Sequence, residues 1–398
     1  MNEWNTYRVK DVAKFISEKA NDCSLPYIAL DNIVSWDGYY IPSDSTSDGN
    51  SNVCRKGDVL FGKLRPYLAK GYIPTQDSIC LPEFIVLRPN DLINNSFLLY
   101  YLLSCSFVSY IKNQVAEVKM PRTNALQIGR VSFALPPIEE QALIVTYLDK
   151  ECDKITREID LLERKVGSYR RMKRSLINYA VMRGLDSKIK TKKSEGSLSS
   201  IIPFHWTEQR IKDIFTEVSI KGYPNEPMLC ATQTRGVIPQ SMYGNRVVTA
   251  LTGLENMKLV EEGNFVISLH SFQGGIEYAY YRGIISAAYT ILKLEEGQEK
   301  GFYKYFFKSA SLIKLMKKCV TGIREGQNIN YSILKYEMIP VPPLEEQREI
   351  VNYLDDKCSK IDSIIEKIEL KIERLKELKR SLINEVVTGQ RTIKTSDL

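Results

Sequence analysis

Residues 136–178 read PPIEEQALIVTYLDKECDKITREIDLLERKVGSYRRMKRSLIN, and residues 342–384 read PPLEEQREIVNYLDDKCSKIDSIIEKIELKIERLKELKRSLIN. The offset is 206 throughout, without a gap, and about half of the positions are identical. Shared landmarks are Pro136/Pro342, Glu140/Glu346, Gln141/Gln347, Tyr147/Tyr353, Asp149/Asp355 and Cys152/Cys358, with KRSLIN closing each copy from 173 and from 379. Self-similarity at one fixed offset marks a duplicated unit, and it decides the architecture.

Each copy reads as a long helix. Proline suits a first helical turn, and the Glu-Glu that follows suits the positive end of the helix dipole. Apolar positions run Ile155, Ile159, Leu162, Val166, Tyr169, Met172 and Leu176 in the first copy, and Ile361, Ile365, Ile368, Ile372, Leu375, Leu378 and Leu382 in the second. Each set begins with the 4-3-4-3 spacing of a coiled-coil seam, whose core is Ile155, Ile159, Leu162 and Val166 against Ile361, Ile365, Ile368 and Ile372. Gly184 and Gly389 stand where C-caps are expected. A straight rod of this length reaches roughly 65–70 Å. Two duplicated helices are expected to pack against each other antiparallel, which creates a pseudo-two-fold axis.

A weaker repeat precedes each helix. Trp4-xxx-Arg8-Val9-Lys10-Asp11-Val12 matches Trp206-xxx-Arg210-Ile211-Lys212-Asp213-Ile214, and Lys56-Gly57-Asp58 has a looser echo in Glu262-Gly263-Asn264. Short strands are expected at Pro26–Leu30, Asp58–Phe61, Pro82–Leu87, Asn264–Ser268 and Tyr289–Leu294, where apolar runs are bounded by Gly, Pro and Asn. Each head then carries one helix, 96–112 and 301–318. The expected class is α+β: two mixed α/β domains separated by two long helices packed as an antiparallel coiled coil. The expected boundaries are a first head over 1–134, a first helical region over 135–185 and a linker over 186–200. A second head over 201–340 and a second helical region over 341–391 follow. The linker, DSKIKTKKSEGSLSS, reads as polar, charged and flexible.

The 398 residues carry 55 Lys+Arg against 48 Asp+Glu, a mildly basic balance that a polyanion partner would suit. The run Phe97–Ile111 reaches about 23 Å as a helix, short of a roughly 30 Å hydrocarbon core, so it reads as a buried helix. The counterpart helix contains Lys304, Lys308 and Lys314, which argues against a membrane span. The opening MNEWNTYRVK lacks the apolar region of a secretory signal, so a cytoplasmic location with free thiols is expected.

Catalytic signals are thin. The eight cysteines form no CxxC pair, and His205 and His270 are the two histidines, which removes zinc-finger and thioredoxin-type readings. Gly57–Leu64 approaches the phosphate-binding pattern GxxxxGK[ST], but leucine replaces the hydroxyl residue and Pro66 interrupts the helix that the motif requires. Leu-Pro-Pro-Ile and Val-Pro-Pro-Leu lack the polar and aromatic residues of a methyltransferase Pro-Pro loop. No catalytic, cofactor or metal site is expected in this chain.

Recognition chemistry remains. Lys154–Lys193 holds thirteen Lys/Arg and four Asp/Glu, whereas 345–394 is balanced at eleven each. Loop residues suited to phosphates and base edges are Lys63, Arg65 and Lys70 in the first head. In the second they are Arg235, His270, Ser271, Gln273, Arg324, Gln327 and Asn328. Two readings stay open on these residues: a DNA-binding chain, or a coiled-coil scaffold whose heads bind proteins.

The pattern resembles the specificity subunits of type I restriction-modification systems. The markers are Pro-Pro-x-Glu-x-Gln at 136–141 and 342–347, the two KRSLIN ends, Ile202-Pro-x-x-Trp206, and Arg-x-Lys-Asp after each tryptophan. The resemblance implies that each head is a target-recognition domain reading one half of a split double-stranded DNA site. The helices would be the conserved regions that set the half-site separation and hold two methyltransferase subunits, with S-adenosylmethionine carried by those partners. Restriction subunits would be compatible with the same chain. The chain itself would be non-catalytic, acting in phage defence through DNA methylation.

Overall fold

The computed structural model describes residues 4–20, 24–47, 49–115, 119–198, 201–244, 253–269, 271–321 and 328–397. The chain forms two compact units, one made of Met1–Arg164 with Ile368–Leu398 and the other of Lys165–Lys367. Each is described by itself.

In the first unit, four antiparallel strands lie in the order Ala13–Ile16, Phe84–Pro89, Val59–Gly62, Gly71–Tyr72. A ribbon pairs Asn5–Arg8 with Ser132–Leu135. In the second unit the order is Phe215–Val218, Thr290–Leu294, Phe265–Ile267, Glu277–Tyr278, and the ribbon pairs Thr207–Arg210 with Met338–Val341. The two heads therefore share one topology. All five expected strands are present, with ends shifted by no more than two residues.

The weak sequence echoes turn out to be structural joints. Gly57 and Gly263 both take positive φ, 87° and 89°, at matching turns. There the Asp58 carboxylate accepts from the Arg55 amide at 2.9 Å, and the Asn264 carbonyl from the Glu261 amide at 2.8 Å. This geometry suits Asp and Asn, whose short side chains fold back on their own backbone.

One expectation is corrected in both heads. Each expected helix is two helices, Asn95–Leu102 then Cys105–Gln114, and Lys300–Phe306 then Ala310–Lys318. The breaks fall at Ser104 and Ser309, fully buried serines whose hydroxyl oxygens cap the next helix at Phe107 N and Leu312 N. An N-cap serine stops one helix and starts the next.

The long helices span Ile138–Arg183 and Leu344–Val387. Gly184 and Gly389 follow with φ of 73° and 76°, the left-handed C-cap conformation that glycine adopts without strain. In the first unit, Lys379 reaches Thr156 at 2.8 Å and Lys371 reaches Glu158 at 2.6 Å. In the second, Lys173 reaches Asp362 at 2.6 Å. The paired numbers rise on one helix as they fall on the other, so the packing is antiparallel. Val166, Ile361, Ile365, Ile368 and Ile372 are buried, and Ile155, Ile159 and Leu162 are half-buried. Met172 and Leu378, read from the sequence as seam positions, are 57% and 55% exposed. Beyond them Leu382, an apolar position read from the sequence, is buried together with Ile177 and Ile383, because a helix of 3.6 residues per turn drifts away from a 3.5-residue pattern.

Each head closes on one helix start and on the end of the other helix. Leu382, Ile383, Val386 and Val387 share a core with Leu98, Phe107, Leu148 and Cys152. Ile177, Ala180 and Val181 share one with Phe306, Leu312, Ile350 and Leu354. The Trp4 indole donates to Glu140 at 3.3 Å and the Trp206 indole to Glu346 at 2.9 Å. Buried Gln141 accepts from the Asn94 amide at 2.8 Å and donates to the carbonyls of Leu92 and Pro136 at 2.9 and 2.8 Å. Gln347 accepts from the Glu299 amide and donates to Gln298 and the Pro342 carbonyl, each at 2.9 Å.

The linker is more ordered than its composition suggests. Thr191–Lys193 pairs antiparallel with Ile201–Pro203, Leu198 is buried, and the Ser194 hydroxyl donates to Glu208. Long-range strand pairing overrides a polar sequence here.

Candidate nucleic-acid interface

Of the recognition residues read from the sequence, Lys63, Arg65 and Lys70 in the first head and Ser271 and Gln273 in the second fall in loops at equivalent places. In each head one loop follows the third strand of the sheet and leads into the short fourth strand. That loop spans 63–70 in the first head and 268–276 in the second.

In the first head the loop is held in an unusual shape. Arg65 and Ala69 have left-handed backbones, φ 48° and 45°, around the single turn Pro66–Leu68. Such conformations cost non-glycine residues on the order of 1 kcal/mol or more and persist where surroundings fix them. Here the Arg65 amide donates to the Pro121 carbonyl at 2.8 Å, and the Thr123 amide to the Lys63 carbonyl at 3.0 Å. Arg122 is paired with Glu83 at 3.2 Å, the residue whose carbonyl accepts from the Lys63 amide at 2.7 Å. Strain and bracing together present the Arg65 side chain to solvent.

Lys63 and Lys70 differ from Arg65. Lys63 Nζ donates to the Pro82 carbonyl at 2.6 Å and Lys70 Nζ to the Leu30 carbonyl at 2.7 Å, so each ammonium also fastens its own loop. The Gly57–Leu64 stretch runs into the strand Val59–Gly62 rather than a helix, unlike a phosphate-binding loop. Sequence reading did not single out Arg122, exposed beside the same loop. Its signal lay in the repeat itself, since Asn124 and Asn330 cap equivalent helices and so align Arg122 with Asn328.

In the second head, exposed Arg235 lies in the turn between Leu229–Thr232 and Gly236–Pro239. Its amide donates to Thr232 Oγ1 at 3.0 Å, and Nη1 to the Met242 carbonyl at 3.2 Å. Ser271 is corrected: it is 2% exposed, and its hydroxyl oxygen accepts from the Ser268 amide at 2.8 Å, fixing its own turn instead of facing a ligand. Gln273 lies in the helical turn Ser271–Gly274 and Asn328 in the strand Asn328–Ile329, both by backbone placement. His270, Arg324 and Gln327 lie outside the described residues.

Among the described residues no group of three or more His, Cys, Asp or Glu side chains could hold a metal ion. Tyr100 and Tyr305 donate to Asp149 and Asp355 at 2.6 Å, and burial, then the carboxylate, raises both phenols well above their ordinary value. They are struts between head and helix. No described helix is long and apolar enough to cross a membrane.

A family profile described as "Type I restriction modification DNA specificity domain" matches residues 1–164 and 203–374. The putative type I restriction enzyme MjaX specificity subunit of Methanocaldococcus jannaschii is 25% identical over 362 residues, covering 85% of this chain and 79% of that one. The type I restriction enzyme EcoKI specificity subunit of Escherichia coli K12 is 21% identical over 325 residues, covering 77% and 68%. Among solved structures, a chain described under complex assembly and conformational transition of the type I R-M system matches with a TM-score of 0.72 at 18% identity, covering 98% of this chain and 99% of that one. The HsdS subunit from Thermoanaerobacter tengcongensis matches at 0.50 with 19% identity, covering 98% of each. These two likenesses show the fold.

Proposed function

The chain belongs to the type I restriction-modification DNA specificity family, and from that premise we propose how it works as a DNA-recognition subunit. Each head reads one half of a split, asymmetric duplex target. The long helices dock two methyltransferase subunits, to which the chain lends specificity without catalysing a reaction. S-adenosylmethionine is held by those partners, and the assembly works in the cytoplasm with or without restriction subunits.

One observation carries this reading. Two heads of a single topology present loops of unrelated sequence at the same place, KLRPYLAK over 63–70 and SLHSFQGGI over 268–276. A common frame with divergent loops is what two different base sequences require, since phosphate contacts position a protein while base-edge contacts specify. The helices, by contrast, are nearly duplicated, which suits two copies of one partner bound by like contacts. Exposed Met172 and Leu378, equivalent across the 206-residue offset, offer such a pair of apolar contacts.

The test is exchange of residues 201–335 for another head of this family, followed by sequencing of methylated motifs in cells carrying the system. One half of the motif should change and the other stay. A simultaneous change in both halves would refute independent reading. Methyl transfer by the purified chain alone would refute the non-catalytic role.

A further inference from the structure

We infer that Lys308 and Glu277 form a positioning pair that sets the half-site selectivity of the second head by clamping two of its loops together. The inference rests on the DNA-reading role proposed above.

Lys308 sits at the end of the helix Lys300–Phe306, just before the buried cap Ser309. Its ammonium donates to the Glu277 carboxylate, to the Gly274 carbonyl at 3.0 Å and to the Gln233 carbonyl at 3.3 Å. An ammonium has three protons, so these acceptors saturate it. Gly274 ends the turn that carries Gln273, and Gln233 opens the turn that carries Arg235. One cation therefore holds both backbones.

The backbones are also close enough to need it. A Cβ on Gly274 would meet the Gln233 side chain at 2.8 Å, and one on Gly275 would meet the Phe307 carbonyl at 2.2 Å. A Cβ on Gly236 would meet the Tyr278 carbonyl at 2.5 Å. Three glycines thus let two turns, a strand and a helix end converge on Lys308.

Glu277 is 2% exposed, and Oε2 has no hydrogen-bond partner among the described residues. Burial raises its carboxyl pKa, and the Lys308 charge opposes that shift. A carboxylate so placed is stable as an anion only beside its cation.

The first head holds the same position without charge. Strand register equates Tyr72, opposite Leu60, with Glu277, opposite Val266. The Tyr100 and Tyr305 struts equate Leu103 with Lys308. Leu103 lies against both Gly71 and Gly38. A tyrosine and a leucine in the first head thus stand where the second has a glutamate–lysine pair. Shape alone is served by the uncharged version; the two carbonyl bonds require the charged one.

The test uses the full chain with its methyltransferase partners. The variant Glu277→Leu with Lys308→Leu removes both charges together and gives position 308 the first head's residue. We expect a thermal midpoint within about two degrees of the parent. Discrimination should fall about tenfold in the motif half read by residues 201–335, with the other half unchanged. If the variant melts lower, Glu277→Gln with Lys308→Met fills similar volume without charge and is read in the same way. Full selectivity in a variant of parental stability would overturn the clamp and leave a packing role. A parent whose motif lacks a half assigned to the second head would overturn the DNA-reading role itself, with the clamp following it.

Discussion

Asn384 accepts a hydrogen bond from the Ser106 amide at 2.8 Å across 278 residues of chain. Asn178 does the same for Ser311, at 3.1 Å, in the second unit. Each asparagine ends a KRSLIN segment, so the most faithful part of the repeat caps a head helix from outside it. Asn384→Ala should lower the stability of the first unit by about 1 kcal/mol, the worth of one cap bond. Hydrogen exchange should quicken over 105–114 and stay at parental rates over 310–318, with Asn178→Ala giving the converse. Equal changes in both segments would contradict this assignment.

Gln347 predicts a larger effect. Its amide group satisfies the Glu299 amide and the Pro342 carbonyl in a site 1% exposed. Gln347→Leu strands both, and should cost about 2–4 kcal/mol in denaturant unfolding. A loss below about 0.5 kcal/mol would mean that water replaces the side chain.

The seam offers a contrast within one helix. Ile365 is 9% exposed and Leu378 55%. Ile365→Asp should destabilise by several kcal/mol, since an aspartate there loses water without gaining a partner. Leu378→Asp should change stability by no more than about 0.5 kcal/mol. Equal melting of the two variants would show that the seam does not bury Ile365.

Alkaline pH should weaken the fold. Burial pushes the Cys152 thiol up to about 12 from an ordinary value near 9, and the Tyr331 phenol up to about 12 from 10. The unfolded chain then releases these protons first, so stability is intact below pH 9 and declines from there toward 12. Cys152→Ala should make the decline shallower, which unfolding midpoints from pH 8 to 11 would reveal. A slope identical to the parent would place the thiol in water.

The repeat and the short strands were legible because both rest on local pattern: fixed offset, 3.5-residue spacing, and apolar runs between Gly and Pro. The helix breaks were hidden because Ser104 and Ser309 lie within apolar runs, and a cap shows only once its acceptor geometry is known. The linker strand was hidden because Thr191 pairs with Pro203, a contact that composition does not encode. At the candidate interface the sequence singled out residues by chemical type, which carries no information on burial. Chemical type marks Ser271 as a recognition residue, while burial assigns it to its own turn. Lys308 was visible only as a charge; the register that sets it beside Glu277 made it a clamp.

The division of the chain has a consequence for biosynthesis. The second unit is continuous, from 165 to 367, whereas the first waits for residues 368–398 to complete its core. On the ribosome the unit begun first is finished last. At 5–20 residues per second, the 203 intervening residues impose a delay of roughly 10–40 s. Through that interval Leu98, Phe107, Leu148 and Cys152 lack their C-terminal cover. A prematurely terminated product would keep that apolar surface open, so the layout exposes incomplete chains to quality control before they can direct an enzyme to DNA.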